Sequence, residues 1–351
     1  MTMVAKSRHI PVRPEWLALT REAALEPDRP IVDAHHHLWT RPGNPYGLAE
    51  FGADMADGHR IVASIFAECH AEYTEDADPA LRSLGETAYA TRLAIESEAT
   101  GGTRVAAGII GHVDLRIGAR AGDVLDRHVA LSEGRFKGIR NTSAHHPDPE
   151  ARGSDISPPE GLIADPEFRR GFAALGPRGL VFDAWMYHHQ LGELDDLAAA
   201  FPDTTIVMNH VGGPNGIGPY AGRRDAVFAD WRAGMAAVAR RPNVAVKLGG
   251  LGMRLAGFSF HERERPPGSA DLAAAWRPYI ETAIELFGAD RAMFESNFPV
   301  DKGTASYGLF WNAFKRIAAD AAPAEKAALF AGTAARIYRL GPIPGLTGGA
   351  A

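Results

Sequence analysis

Leu180-Val181-Phe182-Asp183-Ala184-Trp185 leads into a helical pattern near residues 191–201, and Thr205-Ile206-Val207-Met208-Asn209 follows at once. A β-branched apolar run, an amphipathic helix and a second such run make one βαβ unit, which forces the two strands parallel. The unit recurs downstream. A helix near 226–240 leads to Val244-Ala245-Val246-Lys247-Leu248, and a helix near 272–287 leads to Arg291-Ala292-Met293-Phe294-Glu295. Upstream, Ile31-Val32-Asp33-Ala34-His35, residues 60–68, residues 103–110 and Arg135-Phe136-Lys137-Gly138-Ile139-Arg140 have the same character. Helices are expected between them near 83–99, near 119–131 and from about 165, and two more, near 309–319 and 324–338, close the chain. Eight successive units predict a single TIM (β/α)8 barrel rather than an open doubly wound sheet. Residues 1–29 read as an N-terminal arm around a short helix near 15–25, residues 30–340 as the barrel, and 341–351 as a flexible tail. The loops after strands one, four and seven are long, as expected of segments that shape the mouth at the C-terminal ends of the strands.

Composition narrows the function. The chain has 351 residues and a net charge of −6, which disfavours a nucleic-acid binder. Its one cysteine, Cys69, excludes disulfide frameworks and Cys-built zinc modules, and reads as a buried small hydrophobe. No run approaches 18 apolar residues, and residues 1–14 lack the apolar core of a secretion signal, so a cytoplasmic protein is expected. Walker, GxSxG and HExxH motifs are absent. Fourteen histidines are present, several of them clustered.

Asp33-Ala34-His35-His36-His37 ends the first strand. Alternation puts His35 and His37 on one face and His36 on the other, and two imidazoles so spaced can bind one divalent metal. Other strand ends supply partners: Glu68-Cys69-His70 after strand two, His188-His189 after strand five, and Asn209-His210-Val211-Gly212-Gly213-Pro214 after strand six. Strand eight ends in Glu295-Ser296-Asn297-Phe298-Pro299-Val300-Asp301. Arg140, ending strand four, is expected to clamp an anionic substrate group, while His145-His146 read as solvated loop residues.

Together with Phe136-Lys137-Gly138-Ile139-Arg140 and the closing segment 332–340, these motifs resemble the amidohydrolase superfamily, in particular its amidohydrolase-related branch of lactonases and metal-dependent hydrolases. The resemblance runs over roughly residues 31–340. It implies that the TIM (β/α)8 barrel is distorted and that a metal is held by His35 and His37, with His188 and His210 as further ligands or substrate contacts. The ion would be zinc first, with manganese or iron as alternatives, and one or two in number. The reaction implied is hydrolysis of a lactone or amide of a small anionic molecule by metal-activated water. An Asp at the end of strand eight serves as general base in the family, but here Asn297 stands in its place, and Asn cannot accept a proton. Glu295, Asp301 and Glu68 are the candidate replacements. A decarboxylase, an iron- or manganese-dependent oxygenase, and a degraded barrel acting as a partner subunit are the rival readings. A small-molecule substrate, with neither nucleic acid nor membrane, and a homo-oligomer or related partner subunit complete the expectation.

Overall fold

The computed structural model describes residues 8–346. Eight parallel strands follow one another round a barrel: β1 (Pro30–His36), β2 (Arg60–Ala67), β3 (Arg104–Gly111), β4 (Phe136–Arg140), β5 (Val181–Ala184), β6 (Ile206–Met208), β7 (Val244–Leu248) and β8 (Ala292–Phe294). The helices are α1 (Pro14–Leu17), α2 (Leu48–Met55), α3 (Leu84–Ala99), α4 (Ala121–Leu131), α5 (Pro166–Phe172), α6 (Leu191–Ala200), α7 (Arg224–Ala239), α8 (Ser269–Phe287), α9 (Tyr307–Ile317), α10 (Pro323–Ala327) and α11 (Thr333–Ile337). The TIM (β/α)8 barrel is therefore present. No helix among the described residues is long and apolar enough to cross a membrane.

The seam between β8 and β1 decides where the site forms. It is closed by one parallel bridge, His36 with Phe298, and by two backbone bonds: His37 N–H to the Phe298 carbonyl at 2.8 Å and Asn297 N–H to the His35 carbonyl at 2.9 Å. Asp33 fastens the same seam. Its carboxylate accepts from the Ser296 backbone N–H and hydroxyl and from the Tyr307 hydroxyl. The first histidine pair is thus laid beside the end of β8.

The barrel interior is layered, because residues two apart on a strand face the same way. Val181, Val207, Ala245 and Met293 form an apolar layer that packs on Ala331, Ala334, Tyr338 and Leu340 of the C-terminal segment. One repeat further along the same strands stand Asp183, Asn209, Lys247 and Glu295, all fully buried. Apolar residues on the outer faces of the strands pack on the helices in the main core.

Four local expectations differ. The arm helix is a single turn, Pro14–Leu17, because residues further on bond elsewhere: Asn312 accepts from Leu25 N–H at 2.8 Å and donates to the Ala23 carbonyl at 2.9 Å. The last helical stretch is broken by a wider π turn, Ala328–Gly332, where Phe330 packs on Phe294. Helix α2 lies inside the long loop after β1, with Phe51 buried against His36 and Tyr307. His146 is buried rather than solvated, its ring against His189 and Tyr220. Of the expected tail, residues 347–351 lie outside the described residues.

Candidate active site

His35, His210 and Glu295 bring one potential ligand atom each to within 4.8 Å of one another, and all three are buried. Glu295 organises the group. Its Oε1 accepts from the His210 backbone N–H at 3.1 Å and lies 2.7 Å from His210 Nδ1. Its Oε2 lies 3.3 Å from His35 Nδ1 yet is buried without a hydrogen bond among the described residues. Burying a carboxylate oxygen unpaired is costly unless a cation offsets it.

His37 meets His35 from the other ring edge, with the two Nε2 atoms 3.2 Å apart. His37 Nδ1 lies 2.8 Å from the Ala67 carbonyl, which can only accept, so Nδ1 carries the proton and Nε2 is bare. Two imidazole nitrogens at that spacing can both sit about 2.1 Å from a shared zinc-like ion. Burial, reinforced by the Lys247 and Arg140 charges at His35 and by Arg140 at His37, lowers the pKa of both histidines well below the ordinary value. Both are therefore neutral, the form a ligand must take. His36 points the other way, stacked on Phe51 and 2.9 Å from the Ser64 hydroxyl.

The backbone is bent to deliver His210. His210 and Val211 have φ of +54° and +44°, in the left-handed region that side-chain-bearing residues seldom occupy. Room for the site comes from the two glycines that follow β7. A Cβ on Gly250 would lie 2.5 Å from His210 Cβ, and one on Gly249 would lie 2.4 Å from both the Glu295 carbonyl oxygen and Cγ.

Beneath the histidines, Lys247 Nζ lies 2.6 Å from Asp183 Oδ2 and 3.2 Å from His35 Nδ1. Asn209 and Tyr338 also donate to Asp183, at 3.1 and 2.8 Å. Sequence reasoning passed over Asp183 and Lys247. The signal was available: each is a charge inside an apolar strand, facing the same way as the histidines.

The remaining candidates divide. Arg140 is not an open clamp, since its Nε and Nη2 donate to Glu68 Oε1 at 2.7 Å and to the Glu68 carbonyl at 2.6 Å, while Nη1 lies 3.3 Å from His35 Nε2. Glu68 keeps one oxygen, Oε2, buried and without a hydrogen bond, 3.5 Å from His70 Nδ1. Although burial opposes it, the Arg140 charge holds the Glu68 carboxyl below its usual pKa. Asn297, at φ +54°, donates to Asp301 Oδ1 at 2.8 Å, and Asp301 also accepts from Gly252 N–H. Burial pushes Asp301 well above the carboxylate range. His188 is directed elsewhere, its Nδ1 accepting from Asn215 N–H and its ring on Tyr220 and His189; it belongs neither to the ligand group nor to the cavity wall.

His37, Glu68, Arg140, His210 and Asn297 belong to the wall of one cavity of about 150 Å³, below the range usual for drug-sized ligands. A roomier cleft of about 620 Å³, between Thr20 and residues 262–271, has no strand-end histidine.

Known proteins resemble this chain over most of its length. An uncharacterized protein, y4mH, of Sinorhizobium fredii (strain NBRC 101917 / NGR234) is 33% identical over 89% of this chain and 99% of its own. An L-fucono-1,5-lactonase of Burkholderia multivorans (strain ATCC 17616 / 249) is 27% identical over 88% of this chain and 96% of its own. A crystal structure of an amidohydrolase from Burkholderia multivorans with bound zinc superposes with a TM-score of 0.67 at 26% identity, covering 89% of this chain and 99% of that one. The amidohydrolase family pattern matches residues 32–340, from the second residue of β1's apolar run to the end of the C-terminal plug, and the chain is an enzyme belonging to that family.

Proposed function

We propose that this enzyme hydrolyses a lactone of a small molecule with the aid of a divalent metal held by His35, His37, His210 and Glu295. The observation that carries the reading is the buried, hydrogen-bond-free Glu295 Oε2 set among histidines that burial keeps neutral. When bound, a divalent ion of this kind acidifies water and polarises a carbonyl oxygen. Zinc suits the nitrogen-rich donor set, with manganese or iron as alternatives.

The chain's own residues supply the rest. Glu295 fixes His210 through two bonds and so orients its ring. Lys247, held by Asp183, lies 3.2 Å from His35 Nδ1 and backs that ring from below. Because Asn297 cannot take a proton and Glu295 is committed to the histidines, the proton from water passes to Glu68. Glu68 is ionised, belongs to the cavity wall and has Oε2 without a hydrogen bond among the described residues. His70, half exposed and 3.5 Å away, relays the proton to solvent. Asp301, buried behind Asn297, holds the Asn297 amide in place and is a positioning residue.

The L-fucono-1,5-lactonase relative makes sugar-acid 1,5-lactones the first substrates to try. Purified enzyme supplied with zinc or manganese is expected to release acid from such a lactone, and to stop on chelation and in a His35→Ala/His37→Ala variant. Full activity in that variant or after exhaustive chelation contradicts the proposal.

A further inference from the structure

With Arg140 committed to Glu68, the charge left facing the cavity is Arg41. Glu68 is the one carboxylate in the cavity wall among the described residues, and Arg140 neutralises it, so Arg41 leaves the wall net positive. We propose that Arg41 forms a subsite that binds a carboxylate group of the substrate, so that the substrate class is a lactone bearing a carboxylate. This rests on the hydrolase reading above.

Three features shape the subsite. Arg41 lies over Trp39, its guanidinium carbon 4.2 Å from the ring centre, and Nη2 donates to the Cys69 carbonyl at 2.7 Å. That is its one hydrogen bond among the described residues, which leaves the other N–H groups to meet two carboxylate oxygens in the plane. Trp39 in turn lies parallel-offset to His37, with centroids 6.4 Å apart and planes 27° from each other. Residues 37, 39 and 41 thus make a stack running from the metal-binding group to the guanidinium. A substrate spanning it would set its carboxylate one aromatic ring away from the reacting carbonyl.

His9 reaches the same wall from the N-terminal arm, outside residues 32–340. The arm is pinned on both sides of it. Arg8 Nε pairs with Asp155 at 2.7 Å and Nη1 donates to the Arg152 carbonyl at 3.2 Å, while Ile10 is buried against Gly303. Burial, together with the Arg41 charge, lowers the pKa of His9 from its ordinary value, so Arg41 remains the charge that faces the cavity.

The test pairs kinetics with binding. A 1,5-lactone carrying a ring carboxylate is compared with its methyl ester, and glutarate with glutaramide is titrated calorimetrically into the metal-loaded enzyme. The enzyme is expected to prefer the free carboxylate by about tenfold or more in kcat/KM. Arg41→Gln erases the preference through KM and weakens glutarate by the same factor, while Arg41→Lys keeps part of both. A preference that survives Arg41→Gln, or wild-type enzyme that hydrolyses both lactones equally, overturns the subsite and leaves the hydrolase reading standing. Arg41-dependent glutarate binding without turnover of either lactone upholds the subsite and overturns the hydrolase reading.

Discussion

Replacing Lys247 with Met tests the buried polar layer directly. Lys247 and Asp183 meet at 2.6 Å with neither side chain exposed to solvent. Breaking such a pair from one side typically costs ~3–5 kcal/mol, because the remaining charge is buried uncompensated. Asp183 would keep two donors, Asn209 Nδ2 and the Tyr338 hydroxyl, which places the expected loss at the lower end, about 3 kcal/mol. That is roughly a hundredfold in the folded-to-unfolded ratio. Urea denaturation followed by circular dichroism measures it, with Lys247→Met, Asp183→Asn and the double variant in one cycle. The double variant removes both charges and is expected to lose less than Lys247→Met alone. A loss under about 1 kcal/mol for Lys247→Met, or a double variant equal to the sum of the singles, would refute the reasoning.

Further outcomes follow from the same geometry. Asn297→Asp sets a second carboxylate against Asp301, now 2.8 Å from the Asn297 amide, and should cost about 1–3 kcal/mol in urea denaturation without raising turnover; a more active variant of unchanged stability would show the carboxylate role to sit at 297. Gly249→Ala forces a Cβ to within 2.4 Å of the Glu295 backbone, which cannot swing away, so stability should fall by about 1–3 kcal/mol and metal affinity with it; an atomic-absorption titration matching wild type would argue against this packing. Glu86, buried and close to Glu68, has its pKa raised to about 8. The folded state therefore holds a proton that the unfolded chain has lost between the ordinary value and about 8, and stability falls as pH rises through that window. Glu86→Gln should flatten the change in urea midpoint between about pH 5 and about pH 9, and an unchanged slope counts against it.

The barrel was legible because each βαβ unit carries its own local pattern, and alternation on β1 separated His35 and His37 from His36 correctly. What alternation cannot reach is the backbone beyond a strand's end. His210, Val211 and Asn297 adopt positive φ, so Asn297 turns towards Asp301 while Glu295, two residues earlier, takes the place among the histidines. Arg140 illustrates a second limit. A charge at a strand end looks available for substrate until the end of β2, two strands away round the barrel, brings Glu68 against it, and that pairing is 72 residues distant in the chain. His188 shows the third. It follows β5 as expected, but its N–H bonds to the Gly213 carbonyl and its ring turns to Tyr220, a partner in a loop whose course no local pattern reveals. Lys247 and Asp183 sat in plain view within apolar runs, and a layer-by-layer reading of the interior would have found them.

The proposed metal centre takes its carboxylate from Glu295 rather than from the residue at 297. Zinc affinity measured by competition with a chromogenic chelator, on wild type, Glu295→Gln and Asn297→Ala, tests it most directly. Wild type is expected to bind tightly, Glu295→Gln to lose about a hundredfold or more, and Asn297→Ala to stay close to wild type. Undiminished affinity in Glu295→Gln, or a loss confined to Asn297→Ala, would contradict it.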